Sequence, residues 1–235
     1  MVGVHNWRQD KGVAPIARDG GAGQLLRVRA KWPAPRFFGG MSAPAAPDAS
    51  ALLLALLGQI PGLPPAAAAA FAARWNHAVH LRRGELLVRP GQTEQRLYLV
   101  RQGLLRIYFP TPPGEEICVG FGHAQSLLCA FPSFVSGQPS AYGIQAVRAT
   151  ELLAIGRADF LDSLERVPAL ARFWRQELEK ALVGRMEHEI DLLLPEPAQR
   201  LARLRARSPQ VFQLVPRKYL ASYLRMTPET LSRLR

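Results

Sequence analysis

The spacing of hydrophobic residues divides the chain into a helical segment, a region of short strands and a second, longer helical segment. In the strand region, between residues 77 and 156, short apolar runs are separated by turn signals such as Pro90-Gly91 and Gly103. The predicted strands cover residues 78–82, 85–88, 96–101, 105–109, 117–121, 142–148 and 151–155. Seven short strands at fairly regular spacing, with almost no helix among them, favour an all-β roll or barrel.

Helical periodicity precedes and follows this strand region. The predicted helices cover residues 51–57, 65–75, 157–164 and, at greatest length, about 168–194. Pro64-Pro65 opens the second of them, since proline is well tolerated at the start of a helix. Pro195 and Pro197 mark the end of the last helix, because proline disrupts a helix interior.

The longest predicted helix carries one broad apolar stripe, because an apolar residue recurs every three or four positions along it. The stripe consists of Leu170, Trp174, Leu178, Leu182, Met186, Ile190 and Leu193. Two interpretations stay open. Either the stripe packs on the β region, or its distal part pairs with the same helix of a second subunit.

The first forty residues follow neither the helical nor the strand period. They combine a glycine-rich patch at residues 20–23 with scattered arginines, Pro33 and Pro35. We interpret residues 1–40 as a disordered N-terminal extension or as a mis-assigned, over-extended gene start. A basic arm that touches DNA is a third interpretation.

Positive charge is concentrated at the two ends of the sequence. Residues 1–40 carry a net charge of +5, residues 41–197 carry −1 and residues 198–235 carry +8. A near-neutral body with a basic C-terminal end is typical of a domain that meets phosphates. A solvated basic face without a partner is the alternative.

Two cysteines and the absence of a long apolar run point to a cytoplasmic protein. Cys118 and Cys129 match neither a disulfide framework nor a metal cluster of usual spacing, so we expect buried thiols in a reducing cytosol. The apolar run at residues 51–57 is far shorter than the ~20 residues that a membrane helix needs. We therefore expect no membrane partner.

The C-terminal residues 215–235 predict two short helices joined by a tight turn. The first helix covers residues 217–224, and the turn lies at Arg225-Met226. Thr227 can cap the second helix, because its hydroxyl is able to accept a hydrogen bond from a backbone N–H of the first turn. Pro228 then occupies the first helical position.

The second of these helices has an apolar face and a polar face. Leu231 and Leu234 face inward, whereas Glu229, Ser232 and Arg233 share the outward face. Such a face suits the major groove, where arginine can bind guanine and glutamate can accept from a cytosine amino group. The basic residues of the first helix and the turn would lie near backbone phosphates. The candidate DNA-binding residues are Glu229, Ser232, Arg233, Arg217, Lys218, Arg225 and Thr227.

This stretch resembles the helix-turn-helix of the Crp/Fnr family of bacterial transcription regulators. In that family the second helix often carries Glu-x-x-Ser-Arg, which here reads Glu229-Thr230-Leu231-Ser232-Arg233; the preceding Ala221-Ser222-Tyr223-Leu224 and Thr227-Pro228 also match. The β region resembles the family's sensor domain at Arg89-Pro90-Gly91, at residues 97–106 (LYLVRQGLLR), at Ala146-Val147 and at Glu151-Leu152-Leu153.

The resemblance covers residues 50–235 and implies an α+β fold. It implies a cyclic-nucleotide-binding-like β-roll (a double-stranded β-helix) at 50–166, a long linker and dimerisation helix at 167–194, and a small helix-turn-helix domain at 195–235. The implied partners are double-stranded DNA and a second copy of the chain in a homodimer. RNA polymerase is a further partner open to such a regulator, and the effector is unknown. The Glu-x-x-Ser-Arg pattern implies DNA half-sites with a TGA-type core.

Two features depart from the family pattern. Arg225 stands where the turn usually has glycine, which predicts backbone strain or another turn type. The sequence also ends at Arg235, about two turns into the second helix and without the β-wing of many relatives. The alternative function is therefore a sensor or protein-interaction module whose short helix-turn-helix does not bind DNA specifically.

The sensor region lacks the charged groups that hold a cyclic nucleotide in the family. Relatives that bind cyclic AMP or cyclic GMP use a Gly-Glu pair and an arginine in one short cassette, but residues 117–147 contain no Asp, Glu, Lys or Arg. A buried phosphodiester needs a cationic or dense N–H partner. We therefore expect no ordinary cyclic-nucleotide binding. The candidate pocket residues, for an apolar ligand or simply a filled core, are Phe121, Phe131, Phe134, Ser136, Gly137, Ser140 and Tyr142.

Other cofactors and an enzymatic function find little support in the sequence. An iron–sulfur sensor needs about four thiolates, and two cysteines cannot supply them. Haem could use His77, His80 or His123, but lone histidines on strands are usually polar surface residues. A cupin-type β-barrel enzyme would need a clustered ligand set or a catalytic pair, and none is recognised. We expect neither a cofactor, a metal nor a catalytic activity.

Overall fold

Eight strands and nine helices occur in the part of the chain that the computed structural model describes, residues 49–112 and 114–234. The strands are β1 His77–Leu81, β2 Leu86–Val88, β3 Arg96–Gln102, β4 Leu104–Pro110, β5 Glu116–His123, β6 Leu127–Leu128, β7 Gly143–Ala146 and β8 Thr150–Gly156. The helices are α1 Ala49–Leu57, α2 Pro65–Ala73, α3 Phe131–Ser136, α4 Arg157–Arg166, α5 Pro168–Leu193, α6 Pro197–Arg207, α7 Val211–Leu214, α8 Arg217–Tyr223 and α9 Pro228–Arg233. The interpretations of residues 1–40 lie outside the described residues and stay predictions.

The strands form two four-stranded antiparallel sheets. The strand order is β1-β8-β3-β6 in the first sheet and β2-β7-β4-β5 in the second. Strands that are adjacent in a sheet are mostly distant in sequence, as β8 and β3 illustrate. This arrangement confirms the predicted β-roll.

The first sheet is covered on both faces, which explains the continuous apolar runs in its strands. Along β3, Tyr98 and Val100 lie in the core between the two sheets, whereas Leu97 and Leu99 face the helices. Side chains alternate between the faces of a strand, so a sheet buried on both sides has no polar positions in its centre. The helical side of this core comes from α1, α2, α4 and the start of α5.

The turn between β3 and β4 requires glycine. Gly103 has φ +103°, and a Cβ atom there would lie 2.6 Å from the carbonyl oxygen of Ala149 and 2.6 Å from the Cα of Thr150. Both of these are backbone atoms that cannot move aside locally. Any larger residue at position 103 would therefore clash with the backbone at residues 149 and 150, which explains why this turn contains glycine.

The long helix α5 is buried at its start and exposed along its distal half. Leu170 is 1% exposed in the core, whereas Leu182 and Met186 are 62% and 56% exposed. The predicted apolar stripe therefore divides into a proximal part that packs on the β region and a distal part that is free to pair with a second subunit. Its first turns pack on the β-roll, and its distal apolar residues have no cover within the described chain.

The C-terminal helices form a separate small core. It contains Leu201 and Leu204 from α6, Leu220 and Leu224 at α8, and Leu231 from α9. Leu104 of β4 and Val147, the residue after β7, join the same cluster. The C-terminal helices therefore rest on one edge of the β-roll.

Several elements differ from the sequence prediction. The structure adds β6 and α3 inside the predicted all-β region and places α6 and α7 before the two predicted C-terminal helices. Sequence reasoning interpreted Pro197 as a helix end, but it is the first residue of α6, where proline is favoured.

Candidate nucleic-acid interface

Helices α8 and α9 form the two-helix unit that the sequence predicts. Thr227 precedes α9 in extended conformation, and its hydroxyl accepts a hydrogen bond from the backbone N–H of Thr230 at 3.2 Å. Pro228 then begins the helix. The cap fixes where α9 starts and so which of its side chains point outward.

All seven predicted DNA-binding residues lie on the surface. The exposed residues are Arg217, Lys218, Arg225, Thr227, Glu229, Ser232 and Arg233. On the opposite side of α9, Leu231 is buried and Leu234 is half-buried in the C-terminal core. The helix therefore presents a polar face to solvent and anchors the apolar one.

Glu229 lies in the first turn of α9, where its surroundings favour the ionised carboxylate. Its own backbone N–H and the hydroxyl of Thr227 stabilise the carboxylate and hold its pKa below the usual range, and Arg233 adds a smaller effect. An ionised carboxylate only accepts hydrogen bonds, which is what a cytosine amino group requires.

The turn between α8 and α9 is strained at Arg225. This residue has φ +54°, in the left-handed region that favours glycine. Backbone hydrogen bonds keep it there: the N–H of Arg225 donates to Ser222 and that of Met226 to Ala221. The strain expected from the arginine at a glycine position is therefore present.

Replacing Arg225 by glycine will raise the free energy of unfolding by about 1 kcal/mol, because glycine adopts positive φ without steric cost. Urea denaturation measures the difference. Arg172→Gly on α5 is a suitable control, since glycine inside a helix costs about 1 kcal/mol. An Arg225→Gly protein less stable than the wild type would contradict the account.

Arg200 on α6 holds this turn to the end of the long helix. Its guanidinium donates to the carbonyls of Leu224 and Arg225 at 3.1 and 3.0 Å, and to those of Leu194 and Pro195 at 2.7 and 3.1 Å. One arginine side chain thus donates hydrogen bonds to four backbone carbonyls at the ends of α5 and α8. Sequence reasoning missed this residue.

A buried ion-pair cluster joins α5 to α6 below the two-helix unit. Asp191 is completely buried, and Arg203 donates to one of its carboxylate oxygens at 2.7 Å while Arg207 pairs with the other. Arg203 also reaches Glu187 at 2.6 Å. Because a charge buried so deeply is costly without partners, the cluster fixes how α6 sits on α5.

Aromatic contacts also connect α5 to α8 and α8 to the β-roll. The rings of His188 and Tyr223 are parallel with centroids 3.8 Å apart, and Phe121 of β5 lies 5.4 Å from the same tyrosine ring. Burial, together with the nearby Arg185 and Arg207, lowers the pKa of His188 to about 4. The imidazole is therefore neutral at pH 7 and stacks without a charge.

A β-bulge in the second sheet contacts both α5 and α8. The register of β4 and β5 shifts so that Val119 has no partner on β4. Its carbonyl instead accepts from Arg185 of α5 at 2.8 Å, and the adjacent N–H of Cys118 donates to the Ser222 hydroxyl of α8 at 2.9 Å. Bulges free backbone groups in this way, and here they connect the roll to the helices.

The aromatic residues of the predicted sensor pocket lie in three different surroundings. Phe134 is buried in the helical core, 6.1 Å from the ring of Phe160. Phe121 faces Tyr223 at the junction, and Phe131 is 42% exposed at the start of α3. The structure does not bring these three rings together.

The polar members of the predicted pocket serve local turns. Ser136 and Gly137 are exposed at the end of α3, where Gly137 has φ +72°. The Ser140 hydroxyl donates to the carbonyl of Tyr142 at 2.9 Å, and the Tyr142 ring lies 6.1 Å from Phe109. Their assignment to a ligand stays a prediction.

Neither metal ligands nor a membrane helix are found in residues 49–112 and 114–234. In this part of the chain no group of three or more His, Cys, Asp or Glu side chains is placed to hold a metal ion. None of its helices is both long enough and apolar enough to span a bilayer. Burial raises the pKa of both cysteine thiols, Cys118 and Cys129, to about 12.

Comparison with known proteins gives one family model and a set of related regulators. The model of the cyclic nucleotide-binding domain matches residues 78–167. The fumarate and nitrate reduction regulatory protein of Escherichia coli is 27% identical over 169 residues, which cover 66% of this chain and 65% of that protein. The alignment thus spans less than two thirds of the relative's length.

Solved structures share the fold of this chain. FixK2 from Bradyrhizobium japonicum superposes with a TM-score of 0.59 at 18% identity, covering 67% of this chain and 81% of that one. A variant of CooA from Carboxydothermus hydrogenoformans gives a TM-score of 0.59 at 17% identity, covering 77% and 81%. The molecule is a cyclic nucleotide-binding-type β-roll followed by a long helix and small C-terminal helices. The chain thus contains a cyclic nucleotide-binding domain over residues 78–167, and in sequence it is similar to a regulator of the Crp/Fnr type.

Proposed function

We propose that this protein is a DNA-binding transcription regulator of the Crp/Fnr type. In this proposal residues 50–166 form the sensor, residues 167–194 the linker and dimerisation helix, and residues 195–235 the DNA-binding domain. The observation that carries the proposal is the exposed Glu229, Ser232 and Arg233 face of α9. The regulator works in the cytoplasm without a catalytic step, and RNA polymerase is a further proposed partner.

Each residue of the α9 face has a role in the major groove. Arg233 binds a guanine through two parallel hydrogen bonds, and Glu229 accepts from the amino group of a cytosine. Ser232 contacts either kind of base edge. Arg217, Lys218, Arg225 and Thr227 contact backbone phosphates and so set the position of the helix on the duplex.

The distal half of α5 supports a homodimer. Its large exposed apolar residues are Leu182, Val183, Met186, Ile190, Leu192 and Leu193. Most of them recur at the three- and four-residue spacing of a helix–helix interface. Exposing such an apolar stripe to water is unfavourable. Pairing with the same helix of a second copy buries the stripe and places two α9 helices on one two-fold symmetric site.

The sensor is not expected to bind cyclic nucleotides in the usual way. The cassette at residues 117–147 has no charged residue, and arginines that reach it from other segments already have partners. Arg157 donates to the carbonyls of Phe134 and Val135, and Arg106 donates to the side chains of Gln145 and Glu116. Calorimetric titration with cyclic AMP and cyclic GMP should therefore show no binding. Micromolar affinity for either would contradict this part of the proposal.

A binding titration tests the regulator function as a whole. The probe is a two-fold symmetric duplex with two TGA half-sites one helical turn apart, and its control is a scrambled duplex of equal length and composition. We expect the symmetric duplex to bind about 1,000-fold or more tightly and its affinity to fall steeply with salt. Equal affinity for both duplexes would favour the sensor or protein-interaction module instead.

A further inference from the structure

A basic cleft lies where the β-roll meets the start of α8. It has a volume of about 390 Å³. Arg83 of the β1–β2 connection and residues 147–149 of the β7–β8 turn form one wall, and Pro216, Lys218 and Tyr219 form the other. The cleft therefore combines residues of the sensor with residues of the helix-turn-helix.

Three cationic side chains line this cleft, and no carboxylate does. They are Arg83, Arg148 and Lys218, and each of them is exposed. Cations gathered on one surface repel each other unless an anion lies between them. The two arginines come from the sensor segment, whose overall charge is close to neutral, so their placement beside the basic C-terminal domain is a local feature of the fold.

Backbone hydrogen bonds hold both arginines in place. The N–H groups of Val147 and Arg148 donate to the carbonyl of Leu104, and the N–H of Gly84, next to Arg83, donates to Ala146. The Arg148 guanidinium donates once to the carbonyl of Leu214, at 2.7 Å. A guanidinium has five N–H donors, so this bond orients the side chain and leaves most of its donor capacity for an anion.

The DNA backbone is the anion that fits this position. In a helix-turn-helix the first helix crosses the sugar-phosphate backbone while the second reads the bases. Lys218 lies in the first turn of that helix, and the two arginines lie on its sensor side. All three cations are exposed, as contacts to a passing phosphate chain require, whereas a small buried ligand would need enclosure.

We propose that Arg83 and Arg148 of the sensor domain bind backbone phosphates just outside the base pairs that α9 reads. The cleft then continues the phosphate-binding surface of Lys218 onto the β-roll. This inference rests on the proposed DNA-binding function. It adds two DNA-contacting residues from the sensor domain to those of the helix-turn-helix.

The test measures the salt dependence of DNA binding for Arg83→Gln and Arg148→Gln in the full chain. Each lost phosphate contact should lower the slope of log affinity against log salt by about 0.9. Because the dimer carries each residue twice, each variant should lower the slope by about 1.8 and lose about 12-fold more affinity at 50 mM salt than at 200 mM. The preference for the symmetric over the scrambled duplex should stay unchanged, because phosphate contacts carry no sequence information.

Two controls separate this contact from a general loss of charge. Arg96→Gln removes an exposed arginine of β3 that does not line the cleft, and its slope should match the wild type. Trimming the duplex to the two half-sites should abolish the effect of Arg83→Gln, whereas extending it by a helical turn at each end should restore it. Slopes equal to that of Arg96→Gln would overturn the inference while leaving the proposed function intact. Wild-type protein that binds neither duplex would overturn both.

Discussion

Replacing Asp191 by alanine will lower the free energy of unfolding by about 3–5 kcal/mol, the cost of removing one partner of a buried ion pair. The carboxylate is completely buried, and the guanidinium groups of Arg203 and Arg207 both bind it. Its removal leaves two cations facing each other at the α5–α6 junction. Since domains are stable by only about 5–15 kcal/mol, this loss is a large fraction of the total free energy of unfolding.

Glu187→Ala provides the matched control for this effect. Glu187 binds the same Arg203, but its side chain is 44% exposed, and exposed pairs contribute only about 0–1 kcal/mol. Chemical denaturation of both variants measures the difference. An Asp191→Ala protein as stable as Glu187→Ala would show that the cluster does not hold the junction.

Placing glutamate at both Leu182 and Met186 will separate the dimer and reduce operator affinity by about 100- to 10,000-fold. These side chains are 62% and 56% exposed in the single chain and form the centre of the proposed seam. Four carboxylates brought together across a two-fold axis repel each other and lose hydration. Without the seam, each half-site is bound independently and the gain from linking two binding events disappears.

Analytical ultracentrifugation measures the oligomeric state of this double variant beside its operator affinity. Ala181→Glu is the control, because residue 181 is exposed and lies about 140° around the helix from Met186. This control should remain dimeric and bind the operator as the wild type does. A double variant that stays dimeric would place the dimer interface elsewhere.

The strands could be predicted where local periodicity and turn residues agree. For β3 the predicted start at Arg96 is the observed one, because the apolar run 97–100 is bounded by polar residues and by Gly103. The ends of α5 were also predicted to within one residue, since Pro168 suits a first turn and Pro195 ends the helix. The two-residue β6 and the six-residue α3 are too short for a period to show.

The outward face of α9 could be predicted because it depends only on spacing within one helix. The support beneath it could not, since Asp191 and Arg203 lie on different helices and meet only after the chain turns at Leu194 and Pro195. Arg200 looked like one of many basic residues near the C-terminus. Its role comes from four carbonyls that sequence patterns do not locate.

The most direct test of the central claim, that α9 reads DNA sequence, compares Arg233→Ala with Lys218→Ala. The quantity measured is the ratio of affinities for the symmetric operator and for one with the G·C pair replaced in only one of its two TGA half-sites. Arg233→Ala should reduce this ratio by about 5- to 150-fold, the value of a bidentate base contact. Lys218→Ala should lower both affinities alike and leave the ratio unchanged. A ratio that Arg233→Ala does not alter would contradict the account.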